Sequence, residues 1–389
     1  NFSLRDEAVL WYDTRMEQNL TAAERADALR QLPALLLPWY DENKRDLPWR
    51  INTDPYRVWI SEIMLQQTRV EAAKEHYIRF LRELPTVQEL AACPEDKLFK
   101  LWEGLGYYSR ARNLQKAAKI VAETDFPRTA AELKKLPGIG DYTAGAIASI
   151  AFEQPSPAVD GNVIRVLSRL LGDSRSPETL KTAFAEELAP AYPEKRRGDF
   201  TQSLMELGAT VCLPSSLLCL TCPLFALCKT RGDALPAKKQ KSERRRENKT
   251  LLLFRADGKI ALCRRTCGVL KGMYGFFAIG SDLSAQQAEA FLHGAGISDF
   301  TLGEKRRHKH IFSHIEWNMT ARVAELPCEN QLAAADERAG AQAANLPADT
   351  EISAFSSLEF FDPADIAANI SLPSAFRWCL PLFQTNLHP

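Results

Sequence analysis

The first residue with a chemical environment of note is Glu62, which lies in an apolar stretch that we predict to be helical. Val58, Trp59 and Leu65 are its neighbours three and four residues away along such a helix. Apolar neighbours raise the pKa of a carboxyl group by desolvation, and a general acid near neutral pH needs a raised pKa. A single Glu on a helix is otherwise typical of a solvated surface. Position alone therefore leaves both interpretations open.

A second carboxylate, Asp160, lies in the segment Val159-Asp-Gly-Asn162, directly before an apolar stretch predicted to be a helix over Val163 to Leu171. Asp is a preferred residue at the N-cap of a helix, so capping is its simplest role. A capping side chain is held rigidly, and rigidity also suits a catalytic carboxylate. The two roles are compatible.

A glycine turn precedes Asp160 in the segment LPGIG at 136–140. Gly138 and Gly140 permit positive φ angles and let backbone N–H groups point outwards. The Ala-rich apolar run from Tyr142 to Phe152 that follows is predicted to be a buried helix. No Lys follows the second glycine, which excludes a P-loop. The pattern fits a helix-hairpin-helix, which holds a DNA phosphate on backbone amides at a helix N-terminus.

Four of the 9 cysteines are bunched with the spacing C-x6-C-x2-C-x5-C. Such bunching indicates a metal site in a reducing compartment and not a disulfide framework. Zinc is the usual metal for two cysteine pairs, whereas uneven spacing with apolar residues between favours a [4Fe–4S] cluster. The four residues are Cys212, Cys219, Cys222 and Cys228.

The chain has 389 residues and a net charge of +0, but its charged residues are unevenly distributed along the sequence. Residues 238–249 and 304–310 are rich in Lys and Arg, and such local patches are typical of contact with nucleic acid. We find no signal peptide and no apolar run long enough to span a membrane. We therefore expect no membrane partner and a cytoplasmic protein, associated with the nucleoid if the source is a prokaryote.

The elements that must position these residues change in type along the chain. Up to residue 210 the patterns are helical, whereas a β-hairpin around Asp257-Gly258 opens an α/β region. The predicted divisions are a helical extension of unassigned role at 1–30, an all-α domain at 31–230 with the cysteine loop at 212–228, a basic linker at 231–249, and an α/β domain at 250–389.

A further glycine-rich segment, Gly104-Leu-Gly-Tyr-Tyr-Ser-Arg110, interrupts the helices. Tyrosines beside glycines and an arginine can stack on or wedge between bases. They can equally pack beneath a loop. The residues alone leave both interpretations open.

Taken together, six motifs in this order resemble the MutY-type adenine DNA glycosylases of the helix-hairpin-helix, iron–sulfur superfamily. They are LPWR at 47–50, SEIMLQQT at 61–68, GLGYYSR at 104–110, LPGIG at 136–140, VDGNV at 159–163 and the cysteine loop. The resemblance spans about residues 31–380. It implies a multi-domain fold, with an all-α glycosylase domain carrying a [4Fe–4S] loop and a C-terminal α/β Nudix-like domain.

The resemblance also implies a function in base-excision repair. Such an enzyme is monomeric and monofunctional, and it flips adenine mispaired with 8-oxoguanine out of double-stranded DNA and hydrolyses its glycosidic bond. Glu62 would protonate the departing adenine, and Asp160 would stabilise the sugar cation, with Tyr142 and Asn162 in support. The two carboxyl groups should then lie about 5–9 Å apart.

The remaining roles that the resemblance implies fall on three groups of residues. The adenine pocket would comprise Trp49, Arg50, Val70, Gln202 and Met205. The DNA contacts would comprise Gly138, Gly140, Gln67, Thr68, Arg69, Tyr107 and Arg110, with Tyr107 and Gln67 on the lesion side. The residues that read 8-oxoguanine would be Phe312, Ser313 and His314.

Two positions depart from the family pattern. The chain has Tyr274-Gly-Phe-Phe277 where a Trp/Phe-x-Phe-Pro pattern is expected, which affects packing of the C-terminal domain. Ile164 stands where some members carry Lys, so a reactive amine for strand cleavage is absent there.

Three other functions are open to the same motifs. An endonuclease III-like glycosylase/lyase for oxidised pyrimidines needs a Lys nucleophile after the hairpin, where this chain has Tyr142. A Nudix pyrophosphatase needs a Glu-rich metal helix, whereas residues 284–296 contain one Glu. A non-catalytic iron–sulfur DNA-binding protein leaves Glu62 and Asp160 unexplained.

Overall fold

A computed structural model describes residues 20–236, 243–266, 268–332 and 357–383. Its contacts divide the chain into two compact units. The first unit comprises residues 1–93 and 109–240, and the second comprises residues 94–108 and 241–389. Residues 1–19 of the predicted N-terminal extension and 237–242 of the predicted linker lie outside the described residues.

The described part of the first unit is built from helices. In chain order they are α1 (Ala22–Arg30), α2 (Leu32–Asn43), α3 (Pro55–Leu65), α4 (Val70–Glu83), α5 (Val87–Ala92), α7 (Ser109–Glu123), α8 (Ala130–Leu133), α9 (Asp141–Phe152), α10 (Gly161–Leu171), α11 (Pro177–Leu188) and α12 (Arg197–Thr210). The intervening helix α6 (Glu95–Trp102) belongs to the second unit. No helix among the described residues is both long and apolar enough to cross a bilayer.

Helix α3 begins with Asp54 as its N-cap. The Asp54 carboxylate accepts a hydrogen bond from the Arg57 backbone N–H at 2.9 Å, and Pro55 occupies the first turn. Apart from Arg57, the side chains from Tyr56 to Met64 are buried. Because α3 runs through the interior, Glu62 lies within the core and not on a solvated face.

Close helix approach fixes the position of the VDGNV segment. Helix α12 packs against both α9 and α10. A Cβ atom on Gly208 of α12 would lie 2.6 Å from the Cβ atom of Asn162, so this approach requires glycine. The first turn of α10, with Asp160 as its N-cap, is thereby held against α12.

The second unit contains an eight-stranded mixed sheet in its described residues. Its elements are β1 (Arg245–Ala256), β2 (Lys259–Arg264), β3 (Tyr274–Gly275), β4 (Phe277–Ile279), α13 (Ala285–Gly294), β5 (Thr301–Leu302), β6 (Arg306–Ile311), β7 (Ile315–Glu325), β8 (Leu358–Phe361), α14 (Pro363–Asn369) and α15 (Ser374–Arg377). Strands β1 and β7 pair in parallel, and their other partners pair with them antiparallel.

Two apolar layers cover this sheet, one on each face. Leu251 and Leu253 of β1 pack with α14 and α15, whereas Leu252 and Phe254 pack with α13. This alternation follows from the two-residue period of a strand. The second unit is therefore an α/β/α sandwich.

The predicted hairpin at the start of the second unit is confirmed. Asp257 and Gly258 have φ angles of 52° and 77° and join β1 to β2, with Ala256 opposite Lys259. Positive φ angles at both central residues are those of a type I′ turn, which matches the twist of paired strands.

The departure at Tyr274-Gly-Phe-Phe277 has a packing explanation. Phe276 and Phe277 are both fully buried and belong to the apolar layers on opposite faces of the sheet. A Cβ atom on Gly275 would lie 2.8 Å from the ring of Phe376. The segment therefore buries the rings of Phe276 and Phe277, and Gly275 leaves space for the ring of Phe376 to pack against its backbone.

The division of the chain departs from the predicted linear order in one segment. Residues 94–108, which lie within the predicted all-α domain, cluster with the second unit. Lys100 of α6, for example, donates hydrogen bonds to the backbone carbonyls of Ala367 and Ile370 at 2.8 and 3.0 Å. Such pairings between distant segments leave no local trace in the sequence.

Candidate active site

One cavity of about 560 Å³ in the first unit contains the predicted catalytic residues and the predicted adenine pocket. Its lining includes Glu62, Asp160, Tyr142 and Asn162, which lie far apart in the sequence. Gln67, Thr68 and Gly140 of the predicted DNA contacts also line it. The other lining residues of predicted function are Trp49, Arg50, Val70, Gln202 and Met205.

Glu62 is buried, with 6% of its surface exposed. Burial raises its pKa to about 7, and the negative charge of Asp160 acts in the same direction. The nearby Tyr142 hydroxyl and the Arg50 cation act against this rise. The Oε2 atom of Glu62 has no hydrogen-bond partner among the described residues. A carboxyl group in this setting can hold a proton near neutral pH and donate it into the cavity.

Asp160 is held at two points. Its Oδ1 atom accepts from the Val163 backbone N–H at 2.8 Å, as an N-cap does, and its Oδ2 atom accepts from Asn162 Nδ2 at 2.9 Å. Burial raises the pKa of Asp160, while these hydrogen bonds act to lower it. Capping and a fixed position in the cavity are thus combined in one side chain.

Arg165 extends this hydrogen-bonded chain. Its Nη2 atom donates to Asn162 Oδ1 at 2.8 Å, and its Nε atom donates to the backbone carbonyl of Cys212 at 2.8 Å. Asn162 therefore supports Asp160 directly and is itself held by a residue that contacts the start of the cysteine loop.

An ion-pair network around the buried Glu206 fixes part of the cavity wall. Glu206 has no exposed surface and forms ion pairs with Arg45 at 2.7 Å and Arg50 at 2.8 Å. Burial alone would raise the pKa of Glu206, but hydrogen bonds from both arginines outweigh it and lower the pKa to about 2. Arg50 also donates to Gln202 Oε1 at 3.2 Å. The predicted pocket residues Arg50 and Gln202 are thus pre-positioned.

The hairpin requires glycine at one of its two predicted positions. Gly138 has a φ angle of 81°, and an added Cβ would lie 2.7 Å from the side chain of Asn113. Gly140 has an extended backbone at the N-cap of α9, and a Cβ there would meet open space. The backbone at Gly140 is therefore accessible to a ligand, as a phosphate contact needs.

The other predicted DNA contacts differ in exposure. Gln67 and Arg69 are exposed, and Gln67 has a φ angle of 58°, uncommon for a residue other than glycine. Arg110 instead donates from Nη1 to the backbone carbonyls of Ile63 and Gln66 at 2.8 and 2.6 Å. Its guanidinium stabilises the end of α3. Tyr107 lies in the second unit, 46% exposed.

The four predicted cysteine ligands line one small cavity with Arg169. Arg169 is buried and donates from Nη1 to Cys212 Sγ at 3.4 Å and to the backbone carbonyl of Leu213 at 2.7 Å. Burial raises the pKa of Cys222 to about 11, with a further contribution from the other three thiols. Among the described residues no group of three or more His, Cys, Asp or Glu is arranged to hold a single metal ion.

The predicted lesion-reading residues form the turn between β6 and β7. The Phe312 backbone N–H donates to the Ile315 carbonyl at 2.8 Å, and the Phe312 ring packs edge-on against Trp317 at 4.8 Å. Ser313 and His314 are exposed, with the Ser313 hydroxyl 3.1 Å from His314 Nδ1. The ring thus anchors a turn that presents two polar side chains to solvent.

The basic residues before this turn do not form one continuous cationic patch. Lys309 pairs with Glu316 at 2.8 Å, and Lys305 pairs with Asp282 at 2.7 Å. His308 instead stacks on Trp378 at 4.8 Å. Much of the positive charge is therefore partly neutralised by nearby carboxylates.

Comparison with known proteins finds a family whose model matches the part of the chain that contains both predicted catalytic carboxylates of the cavity. Residues 60–190 match the family model described as HhH-GPD superfamily base excision DNA repair protein. This match includes both Glu62 and Asp160. Residues 60–190 thus resemble the HhH-GPD superfamily, and about half of the chain is similar to MutY-type adenine DNA glycosylases.

The relatives that this chain matches include adenine DNA glycosylases of animals and plants. The mouse protein is 49% identical over 224 residues, which cover 52% of this chain and 44% of the relative. The Arabidopsis thaliana protein is 46% identical over 224 residues, covering 50% of this chain and 36% of the relative. The chain thus matches less than half the length of these relatives.

Among solved structures, a thermostable thymine-DNA glycosylase matches 53% of this chain and 97% of its own chain. The TM-score is 0.49 and the sequence identity is 29%.

The sequence analysis missed two buried residues of the first unit, Glu206 and Arg169, and the half-buried Arg165. Glu206 lies four residues after Gln202 on α12, and Arg165 and Arg169 lie four residues apart on α10. Helical spacing places each pair on one face. Charged residues at this spacing within largely apolar helices were a signal that could have pointed to them.

Proposed function

We propose that this protein hydrolyses the glycosidic bond of adenine mispaired with 8-oxoguanine in duplex DNA. The observation that carries the proposal is Glu62, a buried carboxyl group with a pKa near 7 that shares a cavity with Asp160. The matched relatives, which are named adenine DNA glycosylases, support adenine as the excised base.

The reaction requires the two carboxyl groups to be in different protonation states. With adenine flipped into the cavity, protonated Glu62 donates its proton to a ring nitrogen of adenine as the bond from that base to C1′ of the sugar breaks. Ionised Asp160 stabilises the cation at C1′. Water then adds its oxygen to C1′, loses a proton to the medium and leaves an abasic site, and Glu62 regains a proton from solvent.

The pocket wall suits a planar, hydrogen-bonding base. Arg50 is held by the carboxylate of Glu206 and the side-chain oxygen of Gln202. Trp49, whose ring packs edge-on against Tyr77 at 5.6 Å, supplies aromatic surface. A site whose polar groups are fixed before the base arrives discriminates strongly, since a wrong base leaves them unpaired.

The test incubates the protein with four substrates and identifies the base that each releases. Three are duplexes with adenine opposite 8-oxoguanine, adenine opposite guanine, and thymine glycol opposite adenine. The fourth is a free oxidised nucleotide. The proposal predicts adenine release from the first duplex, with strand breakage only after added alkali. Release of thymine glycol with spontaneous strand cleavage would support the endonuclease III-like alternative. Tyr142, which stands where that chemistry would need a lysine, argues against this alternative.

An iron–sulfur cluster is the cofactor that we propose for the cysteine cavity. Cys212, Cys219, Cys222 and Cys228 would hold it, and Arg169 beside Cys212 Sγ would compensate the negative charge of thiolates. When bound, a [4Fe–4S] cluster supplies a structural cross-link or a one-electron redox centre. Because burial raises the pKa of Cys222, ligation at neutral pH displaces a proton. Iron and sulfide analysis of purified protein tests this, and zinc without iron would overturn it.

Recognition of the opposite base is the role that we propose for Phe312, Ser313 and His314. 8-Oxoguanine differs from guanine by an N7–H donor and an 8-oxo acceptor, which a hydroxyl and an imidazole can distinguish. The anchored ring of Phe312 and the exposed Ser313 and His314 support this role. The mixed sheet between two helical layers supports a Nudix-like fold for the second unit.

The partner and location follow from the same proposal. Double-stranded DNA is the partner, with the backbone at Gly140 available to a phosphate. We propose that the protein acts as a monomer in the cytoplasm, at the nucleoid if the source is a prokaryote.

A further inference from the structure

The glycine-rich loop that carries Tyr107 is held by the C-terminal segment of the second unit. The loop follows α6 and contains three positive φ angles in four residues, at Gly104 (101°), Gly106 (66°) and Tyr107 (47°). A non-glycine residue in the left-handed region is held there by its surroundings. The contacts on either side of Tyr107 therefore help to fix the direction of its half-exposed ring.

On the N-terminal side of the loop, Glu103 contacts residues more than 260 positions later in the chain. Its Oε1 atom accepts from the Leu372 backbone N–H at 3.1 Å and from Arg377 Nη2 at 2.9 Å. Lys100, which also pairs with Glu103 at 3.1 Å, donates to the backbone carbonyls at the end of α14. Glu103 is thus fixed by charge and by a backbone hydrogen bond.

On the C-terminal side, Tyr108 is anchored directly. Its hydroxyl lies 3.2 Å from the Ser371 hydroxyl, and both residues are buried. Burial raises the pKa of Tyr108, so it stays a neutral hydrogen-bonding group. The ring of Phe99 packs edge-on against Tyr108 at 5.5 Å. The residue next to Tyr107 therefore cannot rotate without losing a buried hydrogen bond.

We propose that Ser371 and Arg377 are positioning residues for Tyr107 and thereby set the selectivity for the base opposite adenine. They clamp the residues at 103 and 108, and Tyr107 lies between the two clamped points. The second unit would then act on the lesion in two ways, through the 312–314 turn and through the Tyr107 loop. This inference rests on the proposed function, because it takes Tyr107 to meet the opened duplex.

The first measurement is amide hydrogen exchange of residues 103–108 in the full-length protein without DNA. Loss of one buried hydrogen bond and one ion pair in Ser371→Ala/Arg377→Met should speed exchange there by roughly tenfold. Lys259→Met is the matched control, since it removes an ion pair of 2.9 Å with Glu329 elsewhere in the same unit. Unchanged exchange at 103–108 in the double variant would overturn the proposal.

The second measurement is a double-mutant cycle on the ratio of single-turnover rates for adenine opposite 8-oxoguanine and adenine opposite guanine. Ser371→Ala/Arg377→Met should lower this ratio on the order of fivefold in the wild-type background and leave it unchanged in a Tyr107→Ala background. A merely structural role would give the same factor in both backgrounds and would overturn the proposal, as would a Tyr107→Ala protein with the full ratio. Failure of the proposed function would appear separately, as no adenine release by the wild-type protein.

Discussion

The cavity around Glu62 and the turn at 312–314 differ in how their functional groups are fixed. Glu62, on a helix that runs through the core, is buried, whereas Ser313 and His314 are exposed on a hairpin turn. The buried group gains an altered pKa from its surroundings, while the exposed pair gains only a fixed backbone. Bond cleavage needs perturbed groups in a dry site. Reading a base needs ordinary donors and acceptors that become buried when DNA binds.

The largest effect is expected from Glu62→Gln, which breaks the chemical side of this comparison. The amide fills the same space but cannot donate an acid proton, so the single-turnover rate of adenine release should fall by about 10²–10⁴-fold. The dissociation constant for the same duplex should change little. Near-normal turnover in this variant would contradict the assignment of Glu62.

The same substitution has a control in the free energy of unfolding. The pKa of Glu62 is raised on folding from 4.5 to about 7, so its contribution to stability is fully present below pH 4.5 and is lost as pH rises through 7. At pH 8 Glu62→Gln should therefore be more stable than the wild type, by at most about 3 kcal/mol. A destabilised variant would show that lost activity reflects misfolding.

The next largest effect is expected from Glu206→Gln, which breaks the pre-positioned wall of the cavity. The substitution leaves Arg45 and Arg50 without their buried counter-ion. Denaturant unfolding at pH 7 should show a loss of about 3–5 kcal/mol. Below pH 2 the difference from the wild type should vanish, because Glu206 is itself protonated there. An exposed pair, removed by Lys259→Met, should cost about 0–1 kcal/mol.

A smaller and more selective effect is expected at the turn. Ser313→Ala/His314→Ala should lower the preference for adenine opposite 8-oxoguanine over adenine opposite guanine by about 1–3 kcal/mol. Stability should stay within about 0.5 kcal/mol of the wild type, since both side chains are exposed. Removing the charge of Arg307, an exposed residue of the basic segment 304–310, should instead weaken binding of both duplexes alike and reduce the salt dependence. A full preference ratio in the double variant would transfer the reading role to Tyr107 or Gln67.

The sequence was most informative where chemistry and local structure share the same residues. The N-cap at Asp160 and the turn at Asp257-Gly258 agree with the structure. Each depends on a few neighbouring residues or on a motif of fixed spacing. Local propensity is sufficient for such features, whereas the meeting of Glu62 and Asp160 in one cavity was implied only by the family resemblance.

Contacts between residues far apart in the chain could not be predicted from the sequence. Arg110 lies in a motif that suggests DNA contact, yet its guanidinium holds the end of α3. Glu206 is a helix residue with no motif, and its role arises only because two arginines from another segment meet it. Residues 94–108 cluster with the second unit because they form hydrogen bonds with residues such as Ser371 and Leu372. Tertiary contacts at this separation carry no periodic signal.

The most direct test of Glu62 as a general acid is the pH profile of single-turnover adenine release from a duplex with adenine opposite 8-oxoguanine. Because the protonated form is active and its pKa is about 7, the rate should fall about tenfold for each pH unit above that value. On the acid side the rate should fall as Asp160, whose pKa burial also raises, becomes protonated. A rate that stays constant or rises between pH 7 and pH 9 would contradict the account.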